Sequence, residues 1–201
     1  IHKIWLTKQV KKNSLLFRKA FFESRAEPLS LPNLITKNSE YPNAFGITYD
    51  VLKNKTLEIF DKNRSSDSEN PPHLSTADIA LLETHATATI STLTKFLEKN
   101  LYILSTIVTL APFLGLLGTV YGILTTFTEL KSSTGGASNQ IILGGLSLAL
   151  STTVLGLIDA IPALIGYNYL KNVVYDFDAD MGRFSTDVLS TFELHYRKSG
   201  E

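Results

Sequence analysis

From Asn100 to Thr128 the chain contains no Asp, Glu, Lys or Arg, and from Ser132 to Leu170 its only such residue is Asp159. Roughly 20 apolar residues suffice to cross the hydrocarbon core of a bilayer as a helix. Each stretch has room for one crossing helix, and the polar or small residues from Lys131 to Asn139 can turn between them. The expectation is an all-α membrane protein whose long, kinked transmembrane helices extend into a helical cytoplasmic region. By residue, 1–98 read as a cytoplasmic helical segment and 99–130 as a transmembrane helix. Residues 131–140 read as an external, periplasmic turn, 141–170 as a second transmembrane helix and 171–201 as a cytoplasmic tail.

Charge sets the orientation. Residues 1–100 hold 14 of the 19 Lys and Arg, the turn holds Lys131, and the tail holds Lys171, Arg183, Arg197 and Lys198. Cationic flanks stay on the cytoplasmic side, so both ends of the hairpin are read there. The basic cluster from Lys3 to Lys19 at the start of the sequence suggests a further crossing helix upstream of residue 1. Formal net charge is zero, so no global field points to nucleic acid. There is no Cys, which excludes disulfides and thiolate metal sites.

Apolar spacing predicts a helix over 1–26, ended by Pro28 and Pro32, and a second from Pro42 to about Lys62. Asn63 to His73 is rich in turn residues and reads as a break. Ser75-Thr76-Ala77-Asp78 has the form of a capping box. With no strong breaker before Pro112, the helix that begins there is expected to run on into the membrane. The tail from Lys171 reads as a helical extension. No strand pattern and no internal repeat is evident.

The crossing segments are unlike inert anchors. Gly115, Gly118 and Gly122 in the first, with Gly145, Ala149, Thr153 and Gly156 in the second, recur at three- and four-residue intervals and so form smooth strips. In lipid such strips let helix backbones approach closely. Pro112 and Pro162 each remove a helix hydrogen bond and are expected to kink their helices. Thr119 and Thr153 fall on the strips. A hydroxyl there can both donate and accept, so it can orient a water chain or face a carboxyl. Thr125, Thr126 and Thr128 are read as packed and bonded to their own helix.

Residues 111–123, APFLGLLGTVYGI, and 144–168, GGLSLALSTTVLGLIDAIPALIGYN, resemble the paired signature of the MotA/TolQ/ExbB proton-channel family. The matching positions are Ala111, Pro112, Gly115, Leu116, Gly118, Thr119, Val120, Tyr121 and Gly122. They continue with Ala149, Thr153, Gly156, Leu157, Ala160, Ile161, Pro162, Ala163, Tyr167 and Asn168. The short cytoplasmic segment favours the TolQ/ExbB branch, with a lean to TolQ, over a flagellar, MotA-like stator. The resemblance implies a multi-pass protein of the bacterial inner membrane, forming a ring of identical subunits, pentameric in this family. That ring would surround a TolR/ExbD-like single-span partner and couple proton flow to a TolA/TonB-like protein in envelope work. It also implies that Thr119 and Thr153 line the central pore.

One position departs from the family. A Glu frequent in the third helix, five residues before the threonine matched by Thr153, is Leu148 here, and the only charge of the stretch is Asp159. Eleven residues separate the two, about 16 Å along nearly one helix face. Asp159 is then either a displaced proton-handling group or an interfacial charge, since it lies about 27 Å beyond Ile141 and near the edge of a 30 Å core. A ring that lost conduction with the Glu, and serves as a scaffold, is the competing expectation. The histidines show no metal-ligand spacing, and no catalytic nucleophile, carboxylate pair or phosphate loop assembles. The chain is read as a non-enzyme without metal or cofactor.

Overall fold

A computed structural model describes residues 2–31, 43–66, 73–132 and 138–197. Five helices account for nearly all of them: α1 (His2–Glu23), α2 (Ala44–Ser66), α3 (Thr76–Glu98), α4 (Leu101–Ser132) and α5 (Ser138–Tyr196). No strand occurs among the described residues, apart from a single bridge between Leu74 and Arg197. The all-α expectation therefore holds. The chain divides into two compact units: residues 1–97 with 173–201, and residues 98–172.

The first unit is built on heptad seams. Along α1 the buried residues are Thr7, Val10, Ser14, Phe17 and Phe21, and along α5 they include Val174, Phe177, Met181, Phe184, Val188 and Thr191. Both sets alternate steps of three and four, the spacing that keeps one stripe of a helix against its neighbours. From α2, Phe45, Tyr49, Leu52, Thr56 and Ile59 complete the interior. Phe45 stacks on Phe184 at a centroid distance of 4.6 Å and on Phe177 at 5.8 Å, while Phe21 meets Phe184 edge-on at 5.5 Å. Such aromatic pairs add about 0.5–1.5 kcal/mol each beyond the apolar area they bury. Buried hydroxyls satisfy themselves within their helices: Ser14 donates to Val10, Thr48 to Ala44, Thr56 to Leu52 and Thr191 to Asp187.

Register between α1 and α5 is marked at the rim. Lys11 pairs with Asp180 and Arg18 with Asp187, each at 3.5 Å, and both intervals are seven residues. Such part-exposed pairs contribute about 0–1 kcal/mol, so they select alignment more than they stabilise.

Helix ends follow local chemistry. The Asn43 side chain accepts from the Gly46 amide at 3.1 Å and caps α2; Pro42, where a start was expected, lies outside the described residues. α2 continues to Ser66 rather than ending at Lys62, so Asn63–Ser66 are helical. Arg64 in the last turn suits the helix dipole. The rest of the expected break, residues 67–72, lies outside the described residues. α1 stops at Glu23, three residues short of the expectation, in a run of turns. Ser75 and Asp78 form the reciprocal capping pair: the Ser75 amide donates to the Asp78 carboxylate, and the Asp78 amide to the Ser75 hydroxyl. The expectation of an unbroken helix into the membrane is corrected. α3 ends at Glu98 and Asn100 adopts φ 71°, a left-handed conformation that Asn tolerates better than most residues, before α4 starts. α5, by contrast, is a single helix of 59 residues.

Asp50 is an exception inside this unit. It is 3% exposed, and neither carboxylate oxygen has a hydrogen-bond partner among the described residues. Burial raises its pKa above the usual 3.8, and the ammonium of Lys53, which donates to the Leu31 carbonyl, offsets this only in part. The adjacent Tyr49 hydroxyl donates to the Pro28 carbonyl at 2.8 Å. Its pKa is pushed up to about 12, by burial first and then by the Asp50 charge. Because folded Asp50 holds its proton to higher pH than the unfolded chain, stability falls as pH rises from the unfolded toward the folded pKa, then stays reduced. Asp50→Asn, which keeps the shape without the charge, is expected to raise the thermal midpoint at pH 7 and to flatten its dependence over that window. Thermal scans by circular dichroism across pH check this; an unchanged slope would place Asp50 in water.

Candidate functional site in the membrane hairpin

α4 and the first part of α5 form the second unit. Both are long and apolar enough to cross a membrane, and only 11% and 6% of their most apolar windows are buried. Core helices of a soluble protein would be mostly enclosed. Here Phe113, Leu117, Tyr121, Leu143 and Ile165 stand exposed instead, a surface suited to lipid or to neighbouring helices. The residues between the helices, 133–137, lie outside the described residues.

The two helices approach antiparallel along small residues. A Cβ placed on Gly115 would sit 3.1 Å from the Thr152 carbonyl oxygen and the Thr153 Cα. On Gly156 it would reach 2.6 Å from the Ala111 carbonyl oxygen and 3.1 Å from the Gly115 Cα. On Gly118 it would meet Thr152 Cβ at 2.6 Å, on Gly122 Ala149 Cβ at 2.9 Å, and on Gly145 Thr126 Cβ at 2.9 Å. At Gly115 and Gly156 the opposing atoms are backbone, so a side chain there would force the helices apart.

The hydroxyls lie along this contact. Thr153 Oγ1 donates across to the Gly115 carbonyl at 3.3 Å, and is thereby an interhelical bond. Thr152 Oγ1 donates to Ala149 of its own helix at 2.6 Å and stands 3.3 Å from the same Gly115 oxygen. Thr119 Oγ1 donates to Leu116 at 2.6 Å and is half-buried. Thr125 and Thr126 both donate to Gly122, and Thr128 to Leu124. Pro112 lies within α4 and Pro162 within α5.

Asp159 is elsewhere. It is exposed, and no hydrogen bond or ion pair joins it to any described residue. At 100° per residue it falls about 120° round α5 from Thr153, but within about 20° of Leu148, itself 65% exposed. A single chain thus brings Thr153 to α4 and leaves Asp159 on the outer surface with Leu148. Thr152 was not singled out from the sequence, and Thr126 was read only as packed and bonded to its own helix, as it is; the two fill the space over Gly118 and Gly145. The signal that marks them is spacing: Thr126 lies four residues after Gly122, and Thr152 three after Ala149. No cluster of His, Cys, Asp or Glu able to hold a metal occurs among the described residues.

Comparison with known proteins agrees with this geometry. Residues 56–182, well over half of the chain, match the MotA/TolQ/ExbB proton channel family. The biopolymer transport protein ExbB of Aquifex aeolicus is 45% identical over 98 residues, covering 47% of this chain and 66% of that protein. ExbB of Helicobacter pylori is 54% identical over 74 residues, 37% of this chain and 50% of that protein. The Tol-Pal system protein TolQ of Haemophilus influenzae is 39% identical over 105 residues, 52% of this chain and 45% of that protein. The chain therefore spans about half to two thirds of the length of these relatives. A membrane hairpin closed on glycines, inside a family match that runs through both of its helices, leads to one conclusion: the chain belongs to the MotA/TolQ/ExbB proton channel family, on its TolQ/ExbB branch.

Proposed function

We propose that the chain is the channel subunit of an inner-membrane energy transducer that couples the proton gradient to movement of a TolR/ExbD-like single-span partner. That partner in turn drives a TolA/TonB-like protein in Tol-Pal or TonB-type work. Five copies form the ring, held in the bilayer, with residues 1–98 and the tail from 171 on the cytoplasmic side. The observation that carries this reading is the Thr153 hydroxyl bonded to the Gly115 carbonyl at a contact too close for side chains. It holds an exchangeable O–H against backbone in a low-dielectric setting, where a hydrogen bond is electrostatically stronger than in water. Thr119 and Thr153 face the lumen of the ring and orient water toward the partner's carboxylate. The chain does no covalent chemistry and needs no cofactor or metal.

The scaffold reading is favoured by one observation, that Leu148 stands where the family often has Glu. Proton flux into vesicles holding the ring and its partner decides between the two. A flux above that of empty vesicles supports the channel; none, with a normally assembled ring, supports the scaffold.

Packing on glycine is required for the ring. Gly118→Leu places branched carbon against Thr152, and overpacking of this kind costs about 1–3 kcal/mol. In detergent the variant is expected to run at a smaller oligomeric size than the parent, and an unchanged size would show that this face does not support assembly.

Thr119→Val with Thr153→Val keeps shape and removes both hydroxyls, each bond being worth about 1 kcal/mol. The ring is expected to assemble while coupled flux falls several-fold. Full flux would return both residues to ordinary packing.

Asp159 takes the place of the missing acid. Inserting a charge costs roughly 2.5–3.5 kcal/mol at the bilayer centre and less toward the edge, where Asp159 falls if the crossing begins at Ile141; any deeper placement needs a neighbouring copy, the partner or water to meet it. Asp159→Asn is expected to abolish coupled flux with the ring intact, and Leu148→Glu combined with Asp159→Ala to restore part of it. Undiminished flux in Asp159→Asn would leave the two threonines and the partner's own carboxylate to carry the proton.

A further inference from the structure

α4 presents two contrasting strips. Ser105, Thr109, Pro112, Leu116 and Thr119 follow one another in alternating steps of four and three, the spacing of one helix stripe. Ile103, Ile107, Leu110, Leu114 and Leu117 form a second stripe by the same steps, about 160° round the helix from the first. All five are exposed aliphatic side chains. The hairpin's own contacts fix the side that the first strip takes. Thr152 lies over Gly118 on one side of the line where α4 meets α5. In an antiparallel pair, stepping forward along either helix turns toward the same side. Thr119 and Thr153, each one residue further and about 100° round, therefore flank that line together on its other side.

Polar groups continue along the first strip toward the start of α4. Thr109 is about 15 Å and Ser105 about 21 Å from Thr119 along the helix axis. Thr109 donates to the carbonyls of Ser105 and Thr106, both at 3.0 Å, and keeps its oxygen for accepting. The half-buried Ser105 hydroxyl has no partner among the described residues, whereas Thr106 beside it closes on the Tyr102 carbonyl. Pro112 has no amide hydrogen, so the Val108 carbonyl one turn earlier lacks its helical donor. In a membrane, backbone released in this way is satisfied by neighbouring helices, by Ser or Thr, or by ordered water.

We propose that water wets this strip, so that Ser105, Thr109 and the Val108 carbonyl extend the proton path from Thr119 and Thr153 to the cytoplasmic end of α4. The inference rests on the channel reading above. A held water needs several polar partners, and the strip supplies a free hydroxyl, an accepting hydroxyl and a released carbonyl within about one and a half turns. Packing alone accounts for a hydroxyl closed on its own helix. It does not account for an unpaired hydroxyl and a released carbonyl collected on the side of Thr153, with only aliphatic side chains on the second strip.

These 201 residues contain no Cys, so a single introduced cysteine reports its own position. The test uses the full-length chain with its partner in vesicles, any cysteine outside this stretch being replaced by Ser. Silver ion, which travels through water and is excluded from hydrocarbon, is supplied on both faces, and the thiols left unreacted are counted with a maleimide. Ser105→Cys, Thr109→Cys and Thr119→Cys are expected to react several-fold faster than Ile107→Cys, Leu110→Cys and Leu114→Cys. A fast Thr119→Cys beside Ser105→Cys and Thr109→Cys as slow as the aliphatic strip overturns the proposal and leaves the channel reading standing. A slow Thr119→Cys overturns that reading and the path with it. Equal rates on the two strips also overturn the proposal. Coupled flux gives a second measure. Ser105→Ala with Thr109→Val is expected to lower it on the order of tenfold, two water-bonding hydroxyls being lost. Ser105→Thr with Thr109→Ser, which keeps both hydroxyls, should retain it. Unchanged flux in the first pair, or equal loss in both, overturns the proposal. If the first pair fails to assemble, the cysteine rates decide.

Discussion

Within a bilayer, apolar side chains gain nothing by leaving lipid for one another, so helices associate only where backbones can come close. The hairpin meets that constraint along Gly115, Gly118, Gly122, Gly145 and Gly156, where a single added carbon would collide with the opposite helix. The site depends on it. Thr153 reaches the Gly115 carbonyl because no side chain stands between the two backbones. The family's A-P-x-x-G-x-x-G-T spacing is thus a packing requirement and a placement of hydroxyls at once.

The unit formed by α1, α2, α3 and the last part of α5 obeys the opposite rule. Its seams are filled with large side chains, and Phe184 is touched by Phe17, Phe21 and Phe45 together. In water, removing that much aromatic surface is itself the driving force. α5 satisfies both rules in one helix: small residues such as Ala149, Gly156 and Ala160 in its first part, and Phe177, Met181, Phe184 and Phe192 in its last.

The hairpin was legible in the sequence because freedom from charge over such a length has few alternative explanations, and the capping pair at Ser75 and Asp78 because its chemistry is local. The heptad seams were not. Thr7, Ser14, Thr48, Thr56 and Thr191 occupy buried seam positions, so a count of apolar residues breaks the pattern that burial reveals. The interruption at Asn100 was hidden for a similar reason: Lys99-Asn100 is no strong breaker, and its effect lies in one backbone angle. Asp50 resembles any helical carboxylate until its surroundings are known. In the hairpin, spacing marks the glycines, but the atoms opposite them, from Thr152, Ala149 and Thr126, depend on the register of two helices, which no single segment encodes.

The hydroxyls of Thr48, Thr56 and Thr191 are each closed on their own helix, and the bonds that cross between helices, from the Ala44 amide to the Ser14 hydroxyl and from the Thr94 hydroxyl to Asp178, are small beside the aromatic surface buried there. Cohesion there rests mainly on hydration, whose contribution weakens on cooling. The hairpin, surrounded by hydrocarbon rather than water, draws on dispersion and an interhelical hydrogen bond, neither of which carries that temperature signature. Chilling therefore acts unequally within one polypeptide, loosening the part that meets water while the part that meets lipid keeps its grip.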